Sequence, residues 1–368
     1  MPRPAYWLAV LLFVGLVMAK FDPQSGFTSL IRFGESWKER RLPQLALLPI
    51  ATATGSSGYD GQFYAQIALD PLLRDPHLAS SLDAPAYRAH RILMPATASV
   101  LGLGRPWWTL QIYALLNVAC WLALAWLLRG EIAGADSVSF ARWFGCLFCM
   151  GVLESVRQSL VDLPALLLLV LAVKAARRGN GSLTHWLTLG NLAKESSLLA
   201  STALLLPPRP DLGRSARLLA ISAAPLVAWF VYVGFRFQGN PGSSGTGNFT
   251  WPLLGALQQA AQSGREVLSG NFDSRHTFAL VALAGLVVQA SVLWRNRQPE
   301  SHWWRIGAAY SVLLVFLGPW VWSGYWAVCR AVLPMTIAFN LLLPASGRFW
   351  LFWVAGNLTL LHALWRFL

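Results

Sequence analysis

The chain has 368 residues, of which 55% are hydrophobic and 12% charged, and a mean hydropathy of +0.48. An ordinary soluble domain carries about 25% charged residues, so the composition excludes a soluble enzyme and a disordered chain alike. The net charge of +13 does not mark a nucleic-acid binder, because the basic residues fall between apolar runs, where they set orientation and meet anionic lipid head groups.

Each membrane span takes roughly 20 apolar residues, so the length predicts an all-α polytopic membrane protein, one integral domain over 1–368 with about nine to eleven transmembrane helices. A β-barrel is not expected, since Leu163 to Val173 does not alternate polar and apolar residues. Arg3 followed by Tyr6 to Ala19 reads as a retained first span that delivers Lys20 to the far side. The segment 20–106 is too long for an idle loop. Trp107 to Leu128 then returns to Arg129, Val138 to Leu153 goes out, and Leu163 to Val173 comes back to Lys174, Arg177 and Arg178, a strong inside marker. Because Arg209, Arg214 and Arg217 follow the run 183–206, a single crossing there would put basic residues outside. Two half-helices meeting near Asn191, Lys194 and Glu195 resolve this, since broken backbone is tolerated at membrane depth where it lines a cavity. Spans at Ala216 to Phe235, Phe278 to Leu293, Ile306 to Trp322, Ala331 to Leu343 and Phe349 to Trp365 complete the chain, with Arg295, Arg297, Arg305 and Arg348 inside. The cysteines Cys120, Cys146, Cys149 and Cys329 lie in or beside apolar runs, and Cys146 and Cys149 are expected to share a helix rather than hold zinc or a redox centre. The loop 236–276 holds Gly239 to Asn248, which is either a lid over substrate or plain disorder.

This topology gathers the unusual polar residues on the extracytoplasmic side. The first loop carries Gly58-Tyr59-Asp60-Gly61-Gln62-Phe63-Tyr64, then Arg88 and Arg91; the next outer turn carries Glu154, Arg157 and Asp162-Leu163-Pro164; Lys194-Glu195 sits at the helix break, where the ammonium has to be compensated by Glu195, by a bound anion, or by both, and Arg330 precedes Val332-Leu333-Pro334. Charged groups at bilayer depth are costly unless they pair or line a cavity, so such clustering marks a site.

In order and sidedness these residues resemble the GT-C superfamily of membrane glycosyltransferases. The Tyr-Asp-Gly-Gln-Phe-Tyr string resembles one in small bacterial members linked to surface glycopolymers. The resemblance implies short jaw helices in the first loop, a polyprenyl-phosphate-linked sugar donor, a glycan, lipid or protein acceptor, and a multi-pass place in the bacterial inner membrane with the site facing the periplasm or cell exterior. Asp60 would be the general base, with Asp22 as a rival and an Asx-turn as the plain structural alternative. Asp162, the second catalytic acid, either orients the acceptor, holds Arg157, or caps the helix that follows. Tyr59, Phe63 and Tyr64 are expected to stack on a sugar, with Gln62 and Glu195 also contacting substrate. Lys194, Arg330, Arg91 and Arg88 would stabilise the leaving lipid phosphate, interfacial snorkelling being the alternative for each arginine. Glu154 and Arg157 have the spacing of a helix-end ion pair. His90 and His276 have no ligand spacing and neither Asp60 nor Asp162 belongs to an Asp-x-Asp pair, so no obligatory metal and no cofactor are expected. A lipid-linked sugar flippase or transporter, and a non-catalytic component of surface-polysaccharide assembly, are the competing classes. Convergence of Asp60 and Lys194 in one place would argue against the last.

Overall fold

In the computed structural model the described residues, 4–132, 134–206, 211–238, 245–270 and 272–368, are predominantly helical. The expected inward markers Arg3 and Arg209, and 239–244 of the third loop, lie outside them. Helix α1 (Pro4–Met18) is the first apolar run. The long segment after it folds into α2 (Pro43–Ala46), α3 (Gly61–Leu69), α4 (Pro85–Ala89) and α5 (Leu93–Leu101). It also departs from the all-helical expectation: β1 (Phe33–Gly34) pairs in parallel with β2 (Thr52–Ala53), a small clip on the loop that carries Asp60.

Next come α6 (Pro106–Glu131), the bent pair α7 (Ser137–Phe148) and α8 (Met150–Arg157), and α9 (Asp162–Arg177). The run expected to break does so: α10 (Leu183–Ala193) and α11 (Ser197–Leu205) are separated at Lys194, whose backbone is extended. After α12 (Leu212–Arg236), the loop expected to be flexible contains an amphipathic helix, α13 (Leu254–Leu268). The remainder is α14 (Ser274–Arg295), α15 (His302–Phe316), α16 (Pro319–Trp322), α17 (Tyr325–Ala331), α18 (Leu333–Leu342), α19 (Phe349–Gly356) and α20 (Leu360–Phe367). By length and composition, α6, α12 and α14 can each cross a membrane, and among the described residues five spans result if α7 with α8 and α17 with α18 each count as one.

Several expected single spans are therefore broken, for local reasons. The α7–α8 pair bends by 42° at Cys149, so Cys146 and Cys149 do not share a helix. Gly151 permits the bend to nest against α17, since a Cβ there would meet the Cys329 carbonyl oxygen at 2.7 Å. Pro319 and Pro334, which lack an amide donor, stand at the first turn of α16 and α18; the latter meets α17 at 67°. Asp136, Asp211 and Ser301 cap α7, α12 and α15 through the amides of Ser139, Arg214 and Trp304, which satisfies otherwise orphaned donors.

The interior joins helices by packing and by buried polar links. Trp121 of α6 donates to the Leu147 carbonyl (2.9 Å) while Trp143 of α7 donates to the Ala125 carbonyl (2.8 Å), and Phe13 of α1 stacks on Trp121. Between α14, α18 and the α19–α20 break, Thr336 donates to Gln289, Gln289 to the Gly356 carbonyl, and Asn340 and Asn357 exchange amide hydrogen bonds. Such ties hold helices together where lipid offers no hydrophobic drive between them.

Candidate functional site

Asp60 is presented by a loop that only glycines can form. Gly58 has φ +73, and its backbone lies against that of Gly34 and Arg32. Gly61 opens α3 with its α-carbon pressed on the Gln158 carbonyl, leaving no room for a side chain. Gln62 completes the brace, accepting from the Gly34 amide (3.0 Å) and donating to the Ser57 carbonyl (2.8 Å). Its amide is thus spent on the backbone of the Asp60 loop rather than turned to a substrate.

The Asp60 carboxylate forms neither an Asx-turn nor a helix cap. It accepts from Arg88 Nη2 (2.9 Å) and faces Arg330 Nη2 (3.7 Å). Arg88 is also held by Asp83 through Nε (2.8 Å) and Nη2 (2.7 Å). Arg330 reaches on to Asp162 (3.4 Å), and Asp162 accepts from Lys194 Nζ (2.6 Å). Beside this chain, Arg91 makes a two-pronged pair with Glu195 and donates to the hydroxyls of Tyr64 and Tyr87, and Tyr64 lies between Arg91 and Arg88. Four carboxylates (Asp60, Asp83, Asp162, Glu195) and four cations (Arg88, Arg91, Lys194, Arg330) therefore form one largely buried network whose formal charge sums to zero. Burial alone would raise the Asp60 pKa, but the Arg88 and Arg330 guanidiniums outweigh it and hold the carboxyl below its ordinary value.

The sequence places these residues well but misreads some pairings. Lys194 pairs with Asp162 and not with its neighbour Glu195, because the chain between α10 and α11 is extended and sends consecutive side chains apart. Asp162 does not cap α9; it is the first helical residue, and its carboxylate turns to Lys194 and Arg330. Nor does it hold Arg157, which pairs with Glu154 (3.3 Å). Phe63 and Tyr64 are buried, so neither presents a ring to a sugar. Tyr59 is partly exposed: its hydroxyl accepts from Trp326 Nε1 (2.8 Å) and its ring faces the Arg330 guanidinium. Asp22 is exposed and forms the Asx-turn considered for Asp60, its Oδ1 accepting from the Gln24 and Ser25 amides (3.0 and 2.8 Å) and the Ser25 hydroxyl (3.0 Å). Those bonds hold its pKa below the ordinary value.

Sequence reasoning gave no role to Asp83, Tyr87, Trp326 and Arg366. Tyr87 links the network to the third loop, since its hydroxyl accepts from Asn248 Nδ2 (3.2 Å) as well as from Arg91. Arg366 of α20 pairs with the buried Glu154 (2.8 Å), donates to the Tyr325 hydroxyl (3.1 Å), and lies over the Trp326 ring. Trp326 therefore joins a second ionic cluster to the first. Aromatic residues close to late arginines were the available signal, in Tyr325-Trp326, which ends four residues before Arg330, and in Trp365-Arg366. Next to Asp162, Lys194 and Arg330 lies a cavity of about 20 Å³, walled by Tyr310, Leu166 and Pro334. That is room for about one water. Among the described residues, no three His, Cys, Asp or Glu side chains gather as a metal would require.

No protein-family model, curated protein or solved structure matches the chain.

Proposed function

We propose that this chain is a GT-C-like membrane glycosyltransferase, which transfers a sugar from a polyprenyl-phosphate donor to a glycan, lipid or protein acceptor on the extracytoplasmic face of a bacterial inner membrane. The observation that carries this reading is the convergence of Asp60, Asp162, Lys194 and Arg330, drawn from the first loop, the start of α9, the α10–α11 break and the end of α17, in one network. A scaffold has no use for three ion pairs that share their partners, each formed at a cost in desolvation. Arg330 Nε, buried and without a hydrogen-bond partner among the described residues, adds a donor waiting for an acceptor.

The chemistry follows from the charge balance. A donor phosphate entering beside Arg330 and Lys194 draws those cations from the carboxylates. Asp60, released from part of its positive surroundings, becomes a stronger base as the donor binds. It takes the proton of the acceptor hydroxyl while that oxygen attacks the anomeric carbon; the bond from that carbon to the phosphate oxygen breaks, and the lipid phosphate leaves with the electron pair. Lys194 and Arg330 stabilise its growing charge. Asp162, held between the same two cations, sets their positions.

Asp60→Asn keeps the size of the side chain but removes the base. Transfer from a polyprenyl-phosphate sugar, measured in membrane vesicles, should fall by roughly 10²- to 10⁴-fold, and the unfolding midpoint at neutral pH should drop as well, because Arg88 and Arg330 lose a charged partner. Asp22→Asn, which alters only a surface turn, should be mild. An inactive Asp22→Asn beside an active Asp60→Asn would overturn the assignment of the base.

A further inference from the structure

At the opposite end of α9 from Asp162 lies a groove of about 700 Å³ between the last turns of α6 and α9 and the start of α10. Lys174 stands roughly 18 Å along the helix axis from Asp162, so the groove is separate from the ionic network. Its walls alternate two kinds of surface: Trp126, Leu171 and Trp186 are apolar or aromatic, while Arg129, Lys174 and Arg178 are cationic. Asn180 and Ser182 add polar groups at the rim.

The charges do not balance here. Glu131 is the acid at this end, and it is engaged by Lys174 (3.1 Å) and by Arg177. Arg129 turns its guanidinium over the Tyr6 ring and donates to the Ile132 carbonyl, and neither it nor Arg178 pairs with a carboxylate among the described residues. Four cations stand against Glu131 and, beyond Tyr6, Asp136, which caps α7, so a formal excess of two remains. Trp126, 78% exposed on α6, has the amphipathic ring that settles at the level of lipid head groups.

We infer that this groove binds an anionic glycerophospholipid, its phosphate between Arg129, Arg178 and the free hydrogens of Lys174, and an acyl chain along Trp126 and Leu171. A free anion would use the cations but leave the apolar wall unmatched, and a zwitterionic lipid would bring a second cation into a site already in excess. Basic pockets between helices at a membrane surface are suited to acidic head groups, each Lys or Arg near the surface adding about 1 kcal/mol.

The test uses the full chain in a neutral detergent, with thermal unfolding followed on addition of phosphatidylglycerol, phosphatidylcholine or inorganic phosphate. Phosphatidylglycerol should raise the midpoint, whereas the other two should not. Arg129→Gln with Arg178→Gln should weaken the apparent affinity for phosphatidylglycerol about thirtyfold, roughly fivefold per guanidinium, while Arg74→Gln, on an exposed arginine of the first loop, should leave it unchanged. Should the double variant fail to fold, Trp126→Ala provides the second reading, with fewer phosphatidylglycerol molecules retained in native mass spectrometry. Equal shifts from phosphatidylcholine, the full shift from inorganic phosphate alone, or undiminished binding by these variants would each overturn the proposal.

Discussion

At the scale of single residues, the sign of the Asp60 shift fixes a pH dependence. Its folded pKa lies below the unfolded value of about 4. The stabilisation from its ion pairs is therefore complete above that value and is lost as pH falls through it toward the folded pKa. Unfolding midpoints measured across the acid range should decline in the native chain, and the decline should be shallower in Asp60→Asn. It should not vanish, because the pKa of Asp22 is also depressed, by its turn. Asp60, Lys194 and Arg330 were legible one by one, since a charge set against glycine, a broken apolar run or a Leu-Pro step has a local signature. The pairings across the chain were not. Glu154 and Arg366 are 212 residues apart in the chain, and Arg91 and Glu195 are 104 apart. No spacing rule reaches across such separations, so the residue at hand, Glu195, looked like the natural partner for Lys194.

At the scale of elements, the loop that carries Asp60 depends on the missing side chain of Gly61. A methyl group there would overlap the Gln158 carbonyl and sit 2.9 Å from that of Ile31. Both are backbone atoms and cannot rotate away. Gly61→Ala should lower the unfolding midpoint and abolish transfer at every pH, whereas Asp60→Asn should lower the midpoint only above about pH 4, where the native ion pairs are formed. The α10–α11 break was legible because topology demanded it. The bend at Cys149 was not, because its cause is the approach of α17 to Gly151, a tertiary fact. Helix α13 escaped notice for a different reason: its Gln, Ser and Arg residues lower the mean hydropathy of a segment flanked by glycines, and only its lengthwise pattern of apolar positions records a helix.

At the scale of the whole molecule, the basic ends of α9, α12 and α14 are expected on one side of the membrane and Asp60 on the other. Ser57 and Arg214 are both exposed, and the native cysteines are buried except for the half-buried Cys120. In a Cys120→Ser background, an impermeant thiol reagent added to intact cells should label Ser57→Cys and spare Arg214→Cys; the reverse would remove the topology and the mechanism that rests on it.

The contact between Gly61 and Gln158 also bears on which parts of the site can travel. It fastens the Asp60 loop, backbone against backbone, to the turn that leads four residues later into Asp162. The two acids are thereby braced against each other through the backbone. Arg88 and Arg91 belong to the short α4 and its end, which the third loop touches through Tyr87 and Asn248, and Lys194 hangs on extended backbone between two helices. Room for more than one water beside Asp162 is therefore to be sought on the Lys194 side, where the support is extended backbone between two helices, and not on the side of the two acids.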